Sequence, residues 1–312
     1  MQRLLILLCA LLLLFQPALA DQNDDVLAAI DVLKPEDIPP TPSGMHHYLL
    51  MCMDSWNANV KNLGYSDGMV LLSVDEGTGR LMVTSFIRDM LVVHPDGLPG
   101  RLTYIVKEFG PQGLVDTINR HFGLKIDKYI MLDWGEVQAI VDAAGGVDLT
   151  ITNAEATYLK NYAISPTATT PAIAHGGTYH FSGHAAVIYM RMRKVRASNG
   201  ETQDFGRTFR TRTVLTHLAD QLRGLSYQEA EKLLDAVTQH IVDTNLTAAD
   251  MLAAFQSVWN LRESPLETNR LPYDGTVKPY EFFGGAGQLL DFKTNRELFG
   301  DFLFSQSFVV MD

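Results

Sequence analysis

The densest chemistry in the chain is cationic and short. The stretch DFGRTFRTR, residues 204–212, carries three arginines in nine residues, and YMRMRKVR, residues 189–196, lies just upstream. Yet the protein as a whole is acidic, with a formal charge of −11 and a pI near 5.2. That balance repels nucleic acid and anionic membrane, so no nucleic-acid partner is expected, but it leaves room for one local anion site. Arginine's planar fork suits phosphate oxygens better than a lysine ammonium does. If 187–190 is a strand, Arg191 and Arg193 at its end face the same side. Arg207 and Arg210, three apart, are adjacent on a helix face. Arg207 also falls at or near the helix start, where free N–H groups favour anions. The competing reading of such a run is a solvated face.

The acids have a pattern of their own. Asp54 follows an apolar run at 47–53, and Asp67 precedes another at 69–74. Carboxylates at strand ends can converge at one sheet edge and hold Mg²⁺ through oxygen ligands, or they can serve as turn and cap residues. In SFIRD, Arg88 and Asp89 emerge from a buried-type strand, either as a structural pair or facing a ligand. Arg101, in PGRLT, is a further loop cation. There is no Ser/His/Asp arrangement, no zinc-type spacing around His175 or His184, and no Walker-type glycine loop. Carboxylates for a metal and a convergent set of arginines suit the electrostatic handling of a diphosphate.

These side chains need a scaffold. The runs at 69–74 and 81–86 flank DEGTGR and read as a β-hairpin. PQGLVDTINRHFG sets Pro111 at a helix start and Gly123 at its end. A strand at 129–132, a helix at 134–144 closed by Gly145-Gly146, a strand at VDLTI and a helix at 207–223 follow. A loop rich in Thr, Pro and Gly spans 165–177, helical pattern resumes in TAADMLAAFQSVWNL, and a short strand is expected at 267–272. Alternation of this kind predicts a layered α/β domain, and with no internal linker the body reads as one unit, 45–312. Residues 21–44, polar and proline-bearing (KPEDIPPTPSG), read as a linker.

The first twenty residues, MQRLLILLCALLLLFQPALA, have the layout of a secretory signal, with an A-x-A step before Asp21. The apolar run is shorter than the roughly 20 residues of a membrane span, so cleavage after Ala20 is expected over a retained anchor. Either way the protein is exported. Cys9 lies in that segment, which leaves Cys52 as the lone mature thiol, with no internal disulfide. It sits in HYLLMCM and reads as a small buried hydrophobe.

Taken in order, MCMDSW, YSDGM, SFIRDM, PGRLT, AGGVDL, SGHAAVIYMRMR and DFGRTFRTR resemble the motif series of the LytR-CpsA-Psr family, over residues 45–223 and more loosely the tail. The resemblance implies an α-β-α sandwich with a central mixed sheet and an apolar pocket for a polyprenyl tail. It also implies an exported Gram-positive phosphotransferase at the outer face of the plasma membrane. Such an enzyme attaches polyprenyl-pyrophosphate-linked glycopolymer, of teichoic acid or capsule type, to peptidoglycan and releases polyprenyl phosphate. Pyrophosphate hydrolysis is an expected side reaction, and the membrane is met through the lipid substrate. By carry-over Asp54 and Asp67 hold Mg²⁺ or Mn²⁺, and Arg88, Arg191, Arg193 and Arg207 bind pyrophosphate, with Arg101 and Arg210 in support. Asp89 abstracts a proton or orients Arg88. Arg101 stands where the family usually has lysine. Tyr65 replaces a frequent arginine, Ile87 a proline, and Thr211 a glutamine, the last of which favours the rival reading of a non-catalytic lipid or polymer binder.

Overall fold

The computed structural model describes residues 24–56, 58, 61, 63–161, 173–282 and 285–305. The expected signal segment and most of the loop at 165–177 lie outside them. Three strands open the domain as an antiparallel meander: β1 (Met45–Met53), β2 (Ser66–Asp75) and β3 (Arg80–Phe86). The β2–β3 turn closes on Asp75, whose carboxylate accepts from the amides of Gly77 at 2.9 Å and Thr78 at 3.2 Å, as short acidic side chains do in turns. A small antiparallel pair, β4 (Leu91–Val93) and β5 (Pro99–Arg101), leads into helix α1 (Ile105–Phe122). The expected start at Pro111 marks a break inside this helix: Gly110 takes φ 74, and Pro111 begins its second segment.

Strand β6 (Lys128–Asp133) then pairs parallel with β1, and Asp133 caps α2 (Trp134–Ala143). A hairpin, β7 (Val147–Ile151) and β8 (Gly177–Phe181), brackets α3 (Asn153–Asn161). Helices α4 (Gly183–Arg191), α5 (Gln203–Arg223) and α6 (Tyr227–Thr238) follow. Then come β9 (Asp243–Thr244), α7 (Ala248–Asn260), β10 (Leu266–Leu271), the β11 (Val277–Phe282) and β12 (Gly285–Leu290) pair, and α8 (Phe292–Phe304).

The main sheet is mixed and six-stranded, in the order β10-β3-β2-β1-β6-β9. Its two faces follow from strand alternation. Leu49, Met51 and Met53 of β1 join one core with Ile118 and Phe122 of α1 and Phe299 of α8. Leu50 and Val70 face the other way, toward Leu215 of α5. Helices thus cover both faces, and the α-β-α layering holds.

Two expectations change. The strand expected at 187–190 is helix α4. Its buried residues Ala185, Ala186, Tyr189 and Met190 fall on one helical face, and the small helix-forming alanines outweigh the strand-like IYM. The stretch read as a linker is, from residue 24 onward, packed onto the domain. Val26 and Ile30 are buried in the main core, and the amide of Leu33 donates to the carbonyl of Arg120 at 2.9 Å. Among the described residues no helix is long and apolar enough to cross a membrane.

Candidate functional site

The ends of β1, β2 and β3 and the start of α5 meet at one edge of the sheet. Asp54 follows β1 and is held there by its amide, which donates to the carbonyl of Tyr65 at 2.8 Å. Asp67, at the start of β2, is buried between two arginines. Arg88 donates to its Oδ1, and Arg207 donates Nη1 to its Oδ2 at 3.0 Å and Nη2 to its backbone carbonyl. Arg207 lies in the second turn of α5 rather than at the helix start, because the helix begins four residues earlier at Gln203.

Arg191 and Arg193 are not two residues of one strand. Arg191 ends α4, donates to Asp54 at 2.9 Å, and packs its guanidinium 5.3 Å from the Trp134 ring and 5.9 Å from Trp56. Arg193 lies in the loop beyond and donates to Asp204 at 3.0 Å. That loop is tied to α5 by the amide of Gln203, a non-glycine residue at φ 54, which donates to the Arg193 carbonyl at 2.6 Å. The two arginines still reach the same edge, by a route that strand geometry does not supply.

Asp204 went unassigned in the sequence, although it opens DFGRTFRTR. It stands three residues before Arg207, the spacing that puts both on one helix face, and that spacing was the available signal. Its Oδ1 lies 3.4 Å from Arg88 Nε and 3.7 Å from Arg207 Nε. Asp89 meets the same carboxylate. Burial, then the hydrogen bond to Asp204 and its negative charge, push Asp89 up to about 6. Burial pushes Asp204 upward too, but the hydrogen bond from Asp89 and the charges of Arg207, Arg88 and Arg193 outweigh it and hold Asp204 below the ordinary carboxylate range. Asp89 is therefore the proton-carrying member of the pair. Arg101, at the end of β5, is near enough that its charge pulls Asp89 downward.

Although buried, the Nε atoms of Arg88 and Arg193 have no hydrogen-bond partner among the described residues. A buried donor without an acceptor is costly, and an oxyanion at this edge would satisfy both. Directly behind the arginines, Asp67, Arg207 and the half-buried Cys52 line an apolar cavity of about 110 Å³. Leu50, Val70 and Leu215 line it too, and they also line a second apolar cavity of about 240 Å³ that runs on between the sheet and α5, α6 and α7. Cys52 thus borders this space, with burial raising its thiol pKa.

Arg210, expected in the pyrophosphate set, is held elsewhere. It is fully buried, and its donors go to Glu155 of α3 at 2.7 Å and to the carbonyls of Met192 at 3.0 Å and Val195 at 2.9 Å. No nitrogen is left for a ligand, so it braces the loop that carries Arg193. Gly206 makes room for this packing, since a Cβ there would lie 2.9 Å from the Glu201 carbonyl oxygen. Thr211 turns its hydroxyl back to the Arg207 carbonyl at 3.2 Å and borders the apolar cavity. Beside Tyr65, Lys107 supplies a positive charge, with Nζ donating to the Tyr65 hydroxyl at 3.1 Å. Ile87 is a core residue.

Among the described residues no group of three or more His, Cys, Asp or Glu side chains is placed to hold a metal. Mg²⁺, however, is commonly bound by one or two carboxylates together with substrate phosphates. Asp54 and Asp67, at the ends of paired strands, are donors of that type, and to hold an ion they would exchange their contacts with Arg191, Arg88 and Arg207.

Comparison with known proteins fits this geometry. The LytR_cpsA_psr family model matches residues 30–297. Biofilm regulatory protein A of Streptococcus mutans is 27% identical over 260 residues, covering 80% of this chain and 60% of that protein. The polyisoprenyl-teichoic acid–peptidoglycan teichoic acid transferase TagU of Oceanobacillus iheyensis is 29% identical over 191 residues, 58% of this chain and 53% of that one. The matches thus span little more than half the length of these relatives. In fold, TagT bound to LIIa-WTA superposes with a TM-score of 0.67 at 19% identity, covering 87% of this chain and 96% of that one. TagV of Bacillus subtilis gives 0.63 at 19%, covering 84% and 98%. With its family model matched over most of its length, this chain belongs to the LytR_cpsA_psr family.

Proposed function

We propose that the protein is an exported, Mg²⁺-dependent phosphotransferase that moves a glycopolymer from a polyprenyl pyrophosphate to peptidoglycan. The observation that carries this is one junction: a cluster of guanidinium groups, two of them with Nε atoms that make no hydrogen bond among the described residues, beside an apolar cavity that Asp67 and Arg207 line. A ligand satisfying both parts is a diphosphate joined to a hydrocarbon tail. The teichoic acid transferases among its relatives agree with that chemistry.

In the reaction a peptidoglycan hydroxyl forms an O–P bond to the glycan-bearing phosphorus. The bridging P–O bond breaks, polyprenyl phosphate leaves, and the hydroxyl proton passes to Asp89. Arg88, Arg193 and Arg207 bind the phosphoryl oxygens and stabilise charge that develops on them. Asp204 holds the three arginines together and keeps Asp89 poised near neutrality, where a base works best. Mg²⁺ held by Asp54 and Asp67 would supply Lewis-acid neutralisation of the diphosphate. The leaving lipid keeps its tail in the cavity beside Cys52 and Leu215.

Purified protein, Mg²⁺, a polyprenyl-pyrophosphate glycan and peptidoglycan should give wall-linked glycan, and Arg88→Ala should remove the product. Undiminished turnover in that variant would take the arginine cluster out of the mechanism. Tight lipid binding with no transfer to any acceptor would leave a binding protein.

A further inference from the structure

Helix α5 has a second polar side. At 100° per residue, Phe209, Arg212, Thr213 and Thr216 lie opposite Arg207, Thr211 and Leu215. They line a separate cavity of about 490 Å³, closed on the other flank by Asn269 and Arg270 of the edge strand β10. A helix is roughly 10–12 Å across, so this space and the diphosphate cluster are distinct sites.

Its polar atoms are unusually incomplete. Arg212 is only 9% exposed, yet it makes no hydrogen bond or ion pair with any described residue, and its Nη1 is fully buried. Arg270 spreads over the Phe205 ring at 4.4 Å and gives Nη2 to Asp274 at 2.6 Å, but its buried Nη1 has no partner among the described residues. Glu201 approaches Arg270 with Oε1 at 3.4 Å, and its buried Oε2 makes no hydrogen bond among them either. Two donors and one acceptor on residues that line the cavity are therefore left without partners among the described residues. Buried guanidinium groups in this condition destabilise the fold, and such costs are kept where function uses the group.

The pattern selects the ligand. A simple anion would satisfy the guanidinium groups but would meet the like charges of Glu201 and Asp274. Adjacent hydroxyls both donate and accept, so a pyranose ring can complete Arg212, Arg270 and Glu201 together without bringing net charge. Asn269 and the threonines extend the same kind of bonding, and Phe209 adds an apolar wall.

We infer that this cavity is a saccharide subsite that holds a sugar of a glycan chain, one helix diameter from the reacting phosphorus. The inference rests on the proposed transferase reading only for the source of the sugar, whether acceptor strand or polymer.

Calorimetry on the whole protein tests it without lipid or turnover. The probes are soluble glycan strands cut from peptidoglycan, lipid-free teichoic acid, and inorganic phosphate. One of the two glycans should bind, which also identifies the source. Arg212→Gln and Glu201→Gln should each weaken that binding by about tenfold to a hundredfold. Arg212→Gln should keep or raise the thermal midpoint, so lost binding cannot be put down to misfolding. The subsite is refuted by absence of binding to either glycan, by wild-type affinity in both variants, or by phosphate that competes with glycan and is lost with Arg212. Glycan binding without any transfer keeps the subsite and ends the transferase reading. Transfer with an unaltered KM for glycan in both variants does the reverse.

Discussion

Arg207 and Arg210 sit one helical turn apart on α5 and do opposite work. Arg210 is sealed, with Glu155 and two backbone carbonyls taking its donors. Arg207 is almost as buried, but it stands in a crowd of charges that includes unpaired donors and borders a cavity. A closed set of partners marks an arginine that builds. An open one marks an arginine that binds. Neighbouring positions in one motif can differ in this way because a single turn of helix changes which elements a side chain meets.

The comparison can be broken most directly at Arg210. Arg210→Ala strands Glu155 as a buried charge and should cost about 3–5 kcal/mol, read as a lower urea midpoint. A near-wild-type midpoint would erase the distinction. Arg207→Ala should cost about 1–2 kcal/mol in stability, because Asp67 keeps Arg88, while transfer falls roughly a hundredfold to a thousandfold. Equal stability losses in the two variants would make both arginines structural.

Smaller effects sharpen the open side. Leu215→Trp fills the apolar junction and should raise KM about tenfold for a long-chain donor while sparing a short one. Smallest is a pH effect. Asp89, raised to about 6, must lose its proton to serve as base, so transfer should rise through that pH. Asp204→Asn removes a negative neighbour, so the acid limb of the kcat/KM profile should move to lower pH. An unmoved limb would mean that Asp89 does not set it.

Much of this was legible in the sequence for identifiable reasons. Hydrophobic runs and turn residues gave the β2–β3 hairpin, because strand period and the DEGTGR break agree. The placement of Asp54, Asp67, Arg88 and Arg207 at a single edge was also foreseeable, since each adjoins the end of a readable element. What failed depended on tertiary context. SGHAAVIYM carries both strand-like and helix-like residues, and packing of α4 decided between them. Arg210 looked like its neighbours until Glu155, 55 residues away in sequence, supplied its partner. Asp204 is not legible as a site residue because its role depends on meeting Asp89 from another element. The stretch before residue 45 looked like a tether, since sparse apolar residues such as Val26 and Ile30 give no clear period.

Arg207 grips Asp67 twice, through the carboxylate and through the backbone carbonyl. The second hold belongs to the main chain and survives any change of the side chain at position 67. The charge pair can therefore be taken apart, as by Asp67→Asn, while α5 stays moored to β2, so the chemistry of this edge can vary without redocking a helix.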